Sequence, residues 1–217
     1  MNLFRFSAIA LIVGVASPVI SHADENVLYL LQSNPLNGPT GNTISVDQTA
    51  GTNTLVAGDA AGSAPARQVG DGNSGTVVID GDNIAVLFSQ TGAGGVNSPG
   101  SNNTGTVNAT GNDLTGALSQ AGIGNSATLS VLGTRALGSV SQIGNGNQAD
   151  VSVEGTDIQG ELIQNGNNNI ADLTIDGSSS NVSYEIIGNN LTTVDAGPSV
   201  TTNAGTVIIR QTVIGSN

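Results

Sequence analysis

The chemistry-bearing residues that recur in this chain are carboxamides. Gln-x-Gly-x-x-Asn-x-Ala is spelled at Gln120-Gly122-Asn125-Ala127, at Gln142-Gly144-Asn147-Ala149 and at Gln164-Gly166-Asn169-Ala171, with a constant step of 22 residues. A carboxamide carries two N–H donors and one carbonyl acceptor. A lone buried amide costs a few kcal/mol, but an amide with its like above and below donates to one neighbour and accepts from the other. Each such bond contributes about 1 kcal/mol net, and ladders of this kind are a feature of cross-β structure. The chemistry predicted for these residues is mutual hydrogen bonding.

Two columns are expected. One takes Gln32, Gln68, Gln90, Gln120, Gln142 and Gln164; the other takes Asn42, Asn73, Asn103, Asn125, Asn147 and Asn169, with Gln48 joining as a retained closing Gln. Gly70, Gly92, Gly122, Gly144, Gly166 and Gly188 mark the turn after each Gln slot. The pattern decays at the C-terminal end, where Ile186, Leu191 and Thr193 fill the Gln, Asn and Ala slots, before a last half unit, Val207-Ile209-Gln211-Val213-Gly215. Extra residues at 33 to 41, 93 to 100 and 196 to 205 read as loops on the flank.

Such columns require strands. Leu114, Leu118 and Gln120, then Asn125, Ala127, Leu129 and Val131, alternate with small or polar residues at period 2, which is the strand signature. Gly122 and Gly124 separate the two runs and Gly133-Thr134 follows the second, so each unit reads strand, tight arc, strand, tight turn. A fixed period of this length means units that bury their apolar faces only by stacking on one another. The expected fold is all-β, a parallel β-solenoid with strand-turn-strand rungs of about 22 residues, two face-to-face parallel sheets and a cross-β, amyloid-like character. The expected division is a leader at 1–23, a degenerate N-terminal rung and linker at 24–61, regular repeats at 62–177 and degenerate rungs at 178–217.

The leader is read from Arg5, the apolar run Phe6 to Val15 and Ser21-His22-Ala23, which together describe a secretory signal peptide cleaved after Ala23. Cleavage would remove the single His and leave Arg67, Arg135 and Arg210 as the cations against sixteen carboxylates. Nucleic acid is a poor partner for that charge, and nothing after the leader reads as membrane-inserting. With no Cys, Lys or Trp and no His, nucleophilic catalysis lacks a base and no His-ligated metal site can be built. Asp150, Glu154, Asp157 and Glu161 read as solvated charges, so no enzyme and no cofactor are expected. Asp71-Gly72-Asn73 and Asp80-Gly81-Asp82-Asn83 have Ca²⁺-like oxygen chemistry but no calcium-roll period and read as turns. A Thr-x-Thr face, as ice-binding solenoids present, does not recur at 22.

The unit resembles the curlin repeat, Ser-x5-Gln-x-Gly-x-x-Asn-x-Ala-x3-Gln, of the curli amyloid subunits, over roughly residues 26 to 215. The opening Ser becomes Ile84, Leu114, Ala136 and Ile158, and the closing Gln becomes Ile79, Ala109, Val131, Val153 and Ile175; only Gln48 keeps the terminal Gln. The resemblance implies a subunit secreted through an outer-membrane pore that self-assembles, with a nucleator subunit as partner, into extracellular cell-surface fimbriae serving adhesion and biofilm. An alternative is a soluble secreted β-solenoid that binds Ca²⁺ or glycans.

Overall fold

The structure, a computed structural model, describes residues 19–23, 26–33, 41–48, 51–92, 101–192, 199–200 and 205–212. The expected apolar part of the leader, Thr193 and most of the three expected loop insertions lie outside them. In chain order the strands begin with β1 (Val19–Ala23), β2 (Asn26–Ser33), β3 (Thr43–Asp47), β4 (Leu55–Ala57), β5 (Ala66–Val69) and β6 (Ser74–Ile79). There follow β7 (Ala85–Thr91), β8 (Thr104–Ala109), β9 (Thr115–Ala121), β10 (Ser126–Ser130), β11 (Leu132–Gly133), β12 (Leu137–Ile143) and β13 (Gln148–Ser152). The last are β14 (Glu154–Gly155), β15 (Gln159–Asn165), β16 (Ile170–Ile175), β17 (Ser180–Ile187), β18 (Ser199–Val200) and β19 (Gly205–Thr212).

The described residues are all-β, with no helix. A ten-stranded sheet runs β1-β2-β4-β7-β9-β12-β15-β17-β19, with β5 also bridging β2 and β7, and a seven-stranded sheet runs β18-β16-β13-β10-β8-β6-β3. The pairings are parallel, as in Gln120↔Gln142↔Gln164 and Ala127↔Ala149↔Ala171, so residues one period apart stand side by side. The exception is β1, which pairs antiparallel with β2, Val19 opposite Leu30 and Ala23 opposite Asn26.

Burial follows the alternation. Leu118, Val140 and Leu162 from the larger sheet and Leu129, Val151 and Leu173 from the smaller one share one apolar cluster. The residues in the resemblance's opening and closing slots, Ile84, Leu114, Ala136 and Ile158 with Ile79, Ala109, Val131, Val153 and Ile175, are buried in it too. Their bulk is accommodated by glycine opposite: a Cβ on Gly160 would sit 2.3 Å from the Ile175 Cδ1, and one on Gly138 2.9 Å from a Val153 methyl. Phe88 fills space over Gly75 in the same way, 2.7 Å from where a Cβ would stand.

Three details differ from the sequence reading. Val19–Ala23, assigned to the leader and outside the fold, forms the strand β1. Leu55–Ala57, within the expected linker, pairs with Val27–Leu28 on one side and with β7 on the other. Ser199–Val200, within an expected loop, adds to β16.

Candidate functional site: two amide columns

The Gln side chains point inward from the larger sheet and are buried: Gln32, Gln68, Gln90, Gln120, Gln142 and Gln164 are each 0–2% exposed. Each Nε2 donates to the Oε1 of the next. The distances are 2.6 Å for Gln32 to Gln68, 2.7 Å for Gln68 to Gln90, and 2.8 Å for Gln90 to Gln120, Gln120 to Gln142 and Gln142 to Gln164. The second N–H crosses to the smaller sheet, reaching the carbonyls of Thr43, Ser74, Thr104, Ser126 and Gln148 at 2.8–3.0 Å. The Gln column therefore ties neighbours along the stack and also ties one sheet to the other.

The column has a direction. Every donor faces the C-terminal side and every acceptor the N-terminal side. At the N-terminal end Gln32 Oε1 is buried and has no partner. At the other end Ile186 stands in register with Gln164 and breaks the chain, and beyond it Gln211 stands in register with Ile186. Beyond the gap Gln211 has a partner from the neighbouring column: the Tyr184 hydroxyl donates to Gln211 Oε1 at 2.8 Å, and burial pushes that phenol's pKa up.

The Asn column works differently from the side-chain ladder expected. In the regular repeats the Asn Oδ1 accepts the next repeat's backbone N–H, at 3.0 Å for Asn125 from Asn147 and Asn147 from Asn169. The Nδ2 donates to the next glycine carbonyl, Gly144, Gly166 or Gly188, at 2.8–2.9 Å. Direct amide–amide contacts occur further N-terminal, among Asn42, Asn73, Asn103 and Asn125, at 3.0–3.2 Å. Asn is the shorter side chain and lies beside the arc, so backbone is what it reaches. Leu191 enters the same column through its backbone, donating to Asn169 Oδ1 at 3.0 Å. Gln48 belongs to neither column: it is half-buried and donates to the Thr54 hydroxyl at 2.7 Å and to the Val27 carbonyl at 3.4 Å.

The arc glycines Gly70, Gly122, Gly144, Gly166 and Gly188 have φ of 114 to 142°, open to glycine and rarely to other residues. Gly92 does not share that left-handed φ; its place in the column is fixed by its N–H bond to the Val69 carbonyl. A further column went unread in the sequence. Asn145, Asn167 and Asn189 accept backbone N–H groups of Ile123, Asn145 and Asn167 at 2.8–3.0 Å on the outside of the arc. The signal was an Asn one place after Gly144, Gly166 and Gly188 at the common spacing.

The outward face of the smaller sheet also holds more order than the 22-residue period reveals. Thr43 and Ser45, Ser74 and Thr76, Thr104 and Thr106, and Ser126 and Thr128 stand in register on adjacent strands. Their separations in sequence vary while the register holds. Asp150 and Asp172 continue the same row, and partial desolvation followed by repulsion from Asp172 raises the Asp150 pKa. The other acidic candidates are dispersed. Glu161 takes a Ser183 hydroxyl at 3.3 Å, and Asp157 sits in a turn at φ 53°. Asp82 accepts the Thr52 N–H and hydroxyl, which lowers its pKa. Among the described residues no three His, Cys, Asp or Glu side chains gather as metal ligands, and no helix is long and apolar enough to cross a membrane.

No family model, curated protein or solved structure matches this chain in the comparisons made.

Proposed function

We propose that this chain is a parallel β-solenoid whose rungs each span about 22 residues, and that it is a structural subunit of an extracellular, curli-like amyloid fibre. The observation that carries the reading is the directional Gln column, which runs through the core and stops at an unpartnered buried oxygen on Gln32. A ladder of this kind gains one bond for every unit added and has no intrinsic end. Addition of molecules head to tail is heterologous and does not close, so it yields filaments. The acidic surface, with a formal net charge of −12, keeps free chains apart before assembly. Cleavage after Ala23, passage through an outer-membrane pore, initiation by a nucleator subunit and service in cell-surface adhesion and biofilm complete the proposal.

The test is fibre diffraction with thioflavin binding on residues 24–217 released from denaturant. Reflections near 4.7 Å and 10 Å from fibres that seed fresh protein are the expected result. A chain that stays monomeric and orders on adding Ca²⁺ or glycan would replace this reading with a soluble binding solenoid.

A further inference from the structure

Gln32 Oε1 is the one buried side-chain polar atom among the described residues with no hydrogen-bond partner. Its residue is 2% exposed, so the orphaned carbonyl is desolvated without the hydrogen bond that would offset it. The missing group is a donor approaching from the N-terminal side, where the Gln column has no further member among the described residues. At the far end of the same column stands Gln211, whose Oε1 is turned inward to Tyr184. In a planar amide the NH₂ then faces outward, away from the stack. One end of the molecule lacks a donor at this position, and the other end offers one, in the same column and with the same polarity.

Resting on the fibre reading above, we infer that the fibre grows through a parallel junction between β19 of one molecule and β2 of the next, with Gln211 Nε2 donating to Gln32 Oε1. The register follows from the pairings. Gln32 heads the column that passes through Gln68, Gln90, Gln120, Gln142, Gln164 and Ile186 to Gln211. The column beside it runs from Leu30 to Ile209 and the next from Leu28 to Val207. Leu28 and Leu30 are buried while Val207 and Ile209 are half-buried at the open edge, so the junction completes the apolar core as well as the amide column. Tyr184 acquires a role in this arrangement: it holds Gln211 with its donor outward where Ile186 cannot.

The strand β1 lies on the same edge of β2, antiparallel along Asn26–Leu30. The junction and β1 compete for one row of backbone groups. Growth at this end requires β1 to part from β2, and cleavage after Ala23 would remove it.

The test exploits a chain without cysteine. Tyr29→Cys with Ile208→Cys places thiols on the two ends at positions that the junction sets side by side. Parallel neighbours lie about 4.8 Å apart, within disulfide reach. Tyr29→Cys with Arg210→Cys is offset by two residues, about 8 Å and too far. Both variants, as full chains and as chains beginning at Asp24, are assembled, oxidised and sized without reductant. The expected result is a ladder of disulfide-linked multimers from the first pair, in roughly ten-fold excess over the offset pair, and a higher yield in the absence of residues 1–23. Fibres lacking that preference overturn the junction and leave the fibre reading standing. Equal yields with and without residues 1–23 overturn the competition by β1. Absence of fibres from every form removes both the junction and the fibre reading.

Discussion

Each regular repeat closes twice, and the two turns are made by opposite means. The arc that follows the Gln slot is crowded: a Cβ on Gly122 or Gly144 would lie 1.9 Å from the glycine carbonyl of the next repeat, and Gln142 and Asn147 hold its two sides through a buried and a part-buried hydrogen bond. The turn that follows the second strand is open, with nothing within 4 Å of a Cβ on Gly111, Gly133, Gly155 or Gly177. There it is non-glycine residues that take left-handed backbone, two in a row: Thr134 and Arg135 at 43° and 55°, Thr156 and Asp157 at 68° and 53°, Ser178 and Ser179 at 47° and 43°. Their N–H groups bond the carbonyls of the preceding turn, such as Asp157 to Thr134 at 3.0 Å. The arc is thus fixed by side chains and permits no change, while the open turn is held by stacked backbone and carries avoidable strain.

The strongest test of that contrast places the same substitution in both turns of one unit. Gly144→Ala adds a methyl where a carbonyl stands and where φ is 116°. Strain and overpacking together are expected to remove about 2–5 kcal/mol of stability. Gly155→Ala meets nothing and takes no positive φ; by restricting the unfolded chain it is expected to raise stability by about 0.5 kcal/mol. Denaturant midpoints of the two variants measure the difference, and equal losses would show that the turns are not distinct.

Next in size are the amides that flank the arc. Gln142→Leu leaves Gln164 Oε1 buried without a donor, an expected loss of about 1–3 kcal/mol, whereas Gln120 Nε2 keeps the Thr104 carbonyl at 2.9 Å. Gln164→Leu orphans no side-chain oxygen, because its successor is Ile186; each variant also removes one cross-sheet donor, to the Ser126 carbonyl for Gln142 and to the Gln148 carbonyl for Gln164, so that loss is common to both. Gln164→Leu is expected to cost less. The same denaturation measurement on both variants decides whether direction along the column matters; identical losses would mean that it does not.

In the open turn the expected change has the opposite sign. Thr156→Gly removes a β-branched residue from left-handed backbone, a strain of about 1–2 kcal/mol, against the extra freedom of glycine in the unfolded chain, about 0.5–1 kcal/mol. A net gain of a few tenths to about 1 kcal/mol is expected. A loss would mean that the turn side chain makes a contribution that its open surroundings do not suggest.

The strands, their period and the positions of the buried amides were legible in the sequence because alternation and spacing report side-chain direction, which a sheet fixes rigidly. The columns through Gln68 to Gln164 follow from that alone. What was not legible depended on reach and on chain excursions. The spacing of Asn125, Asn147 and Asn169 does not say whether one amide meets the next or the backbone beside it. The hydroxyl rows of β3, β6, β8 and β10 were hidden because insertions changed their sequence separation while leaving their register intact. The partner of Gln211 was hidden because Tyr184 comes from the neighbouring column.

The smallest effect concerns the sheet face between the two turns. Asp150 has a raised pKa from partial desolvation and from Asp172 beside it, so the folded chain holds its proton more tightly than the unfolded chain does. Its unfavourable charge is absent below the ordinary value of 3.8 and sets in as pH rises from there through the raised value; stability falls over that window and is level above it. Asp59 and Asp82 have lowered values, the first chiefly through the Ser63 hydroxyl and the second through that of Thr52. Their contributions are present above 3.8 and are lost as pH falls through the lowered values. The stability profile should therefore pass through a maximum near the ordinary carboxylate range and decline on both sides. Asp150→Asn should flatten the decline on the alkaline side and leave the acid side unchanged, because the acid side belongs to hydrogen bonds in exposed turns and the alkaline side to a carboxylate partly desolvated on the sheet face with Asp172 beside it. A profile that Asp150→Asn leaves unaltered would place the alkaline decline elsewhere and remove Asp150 as the electrostatic weak point of the stack.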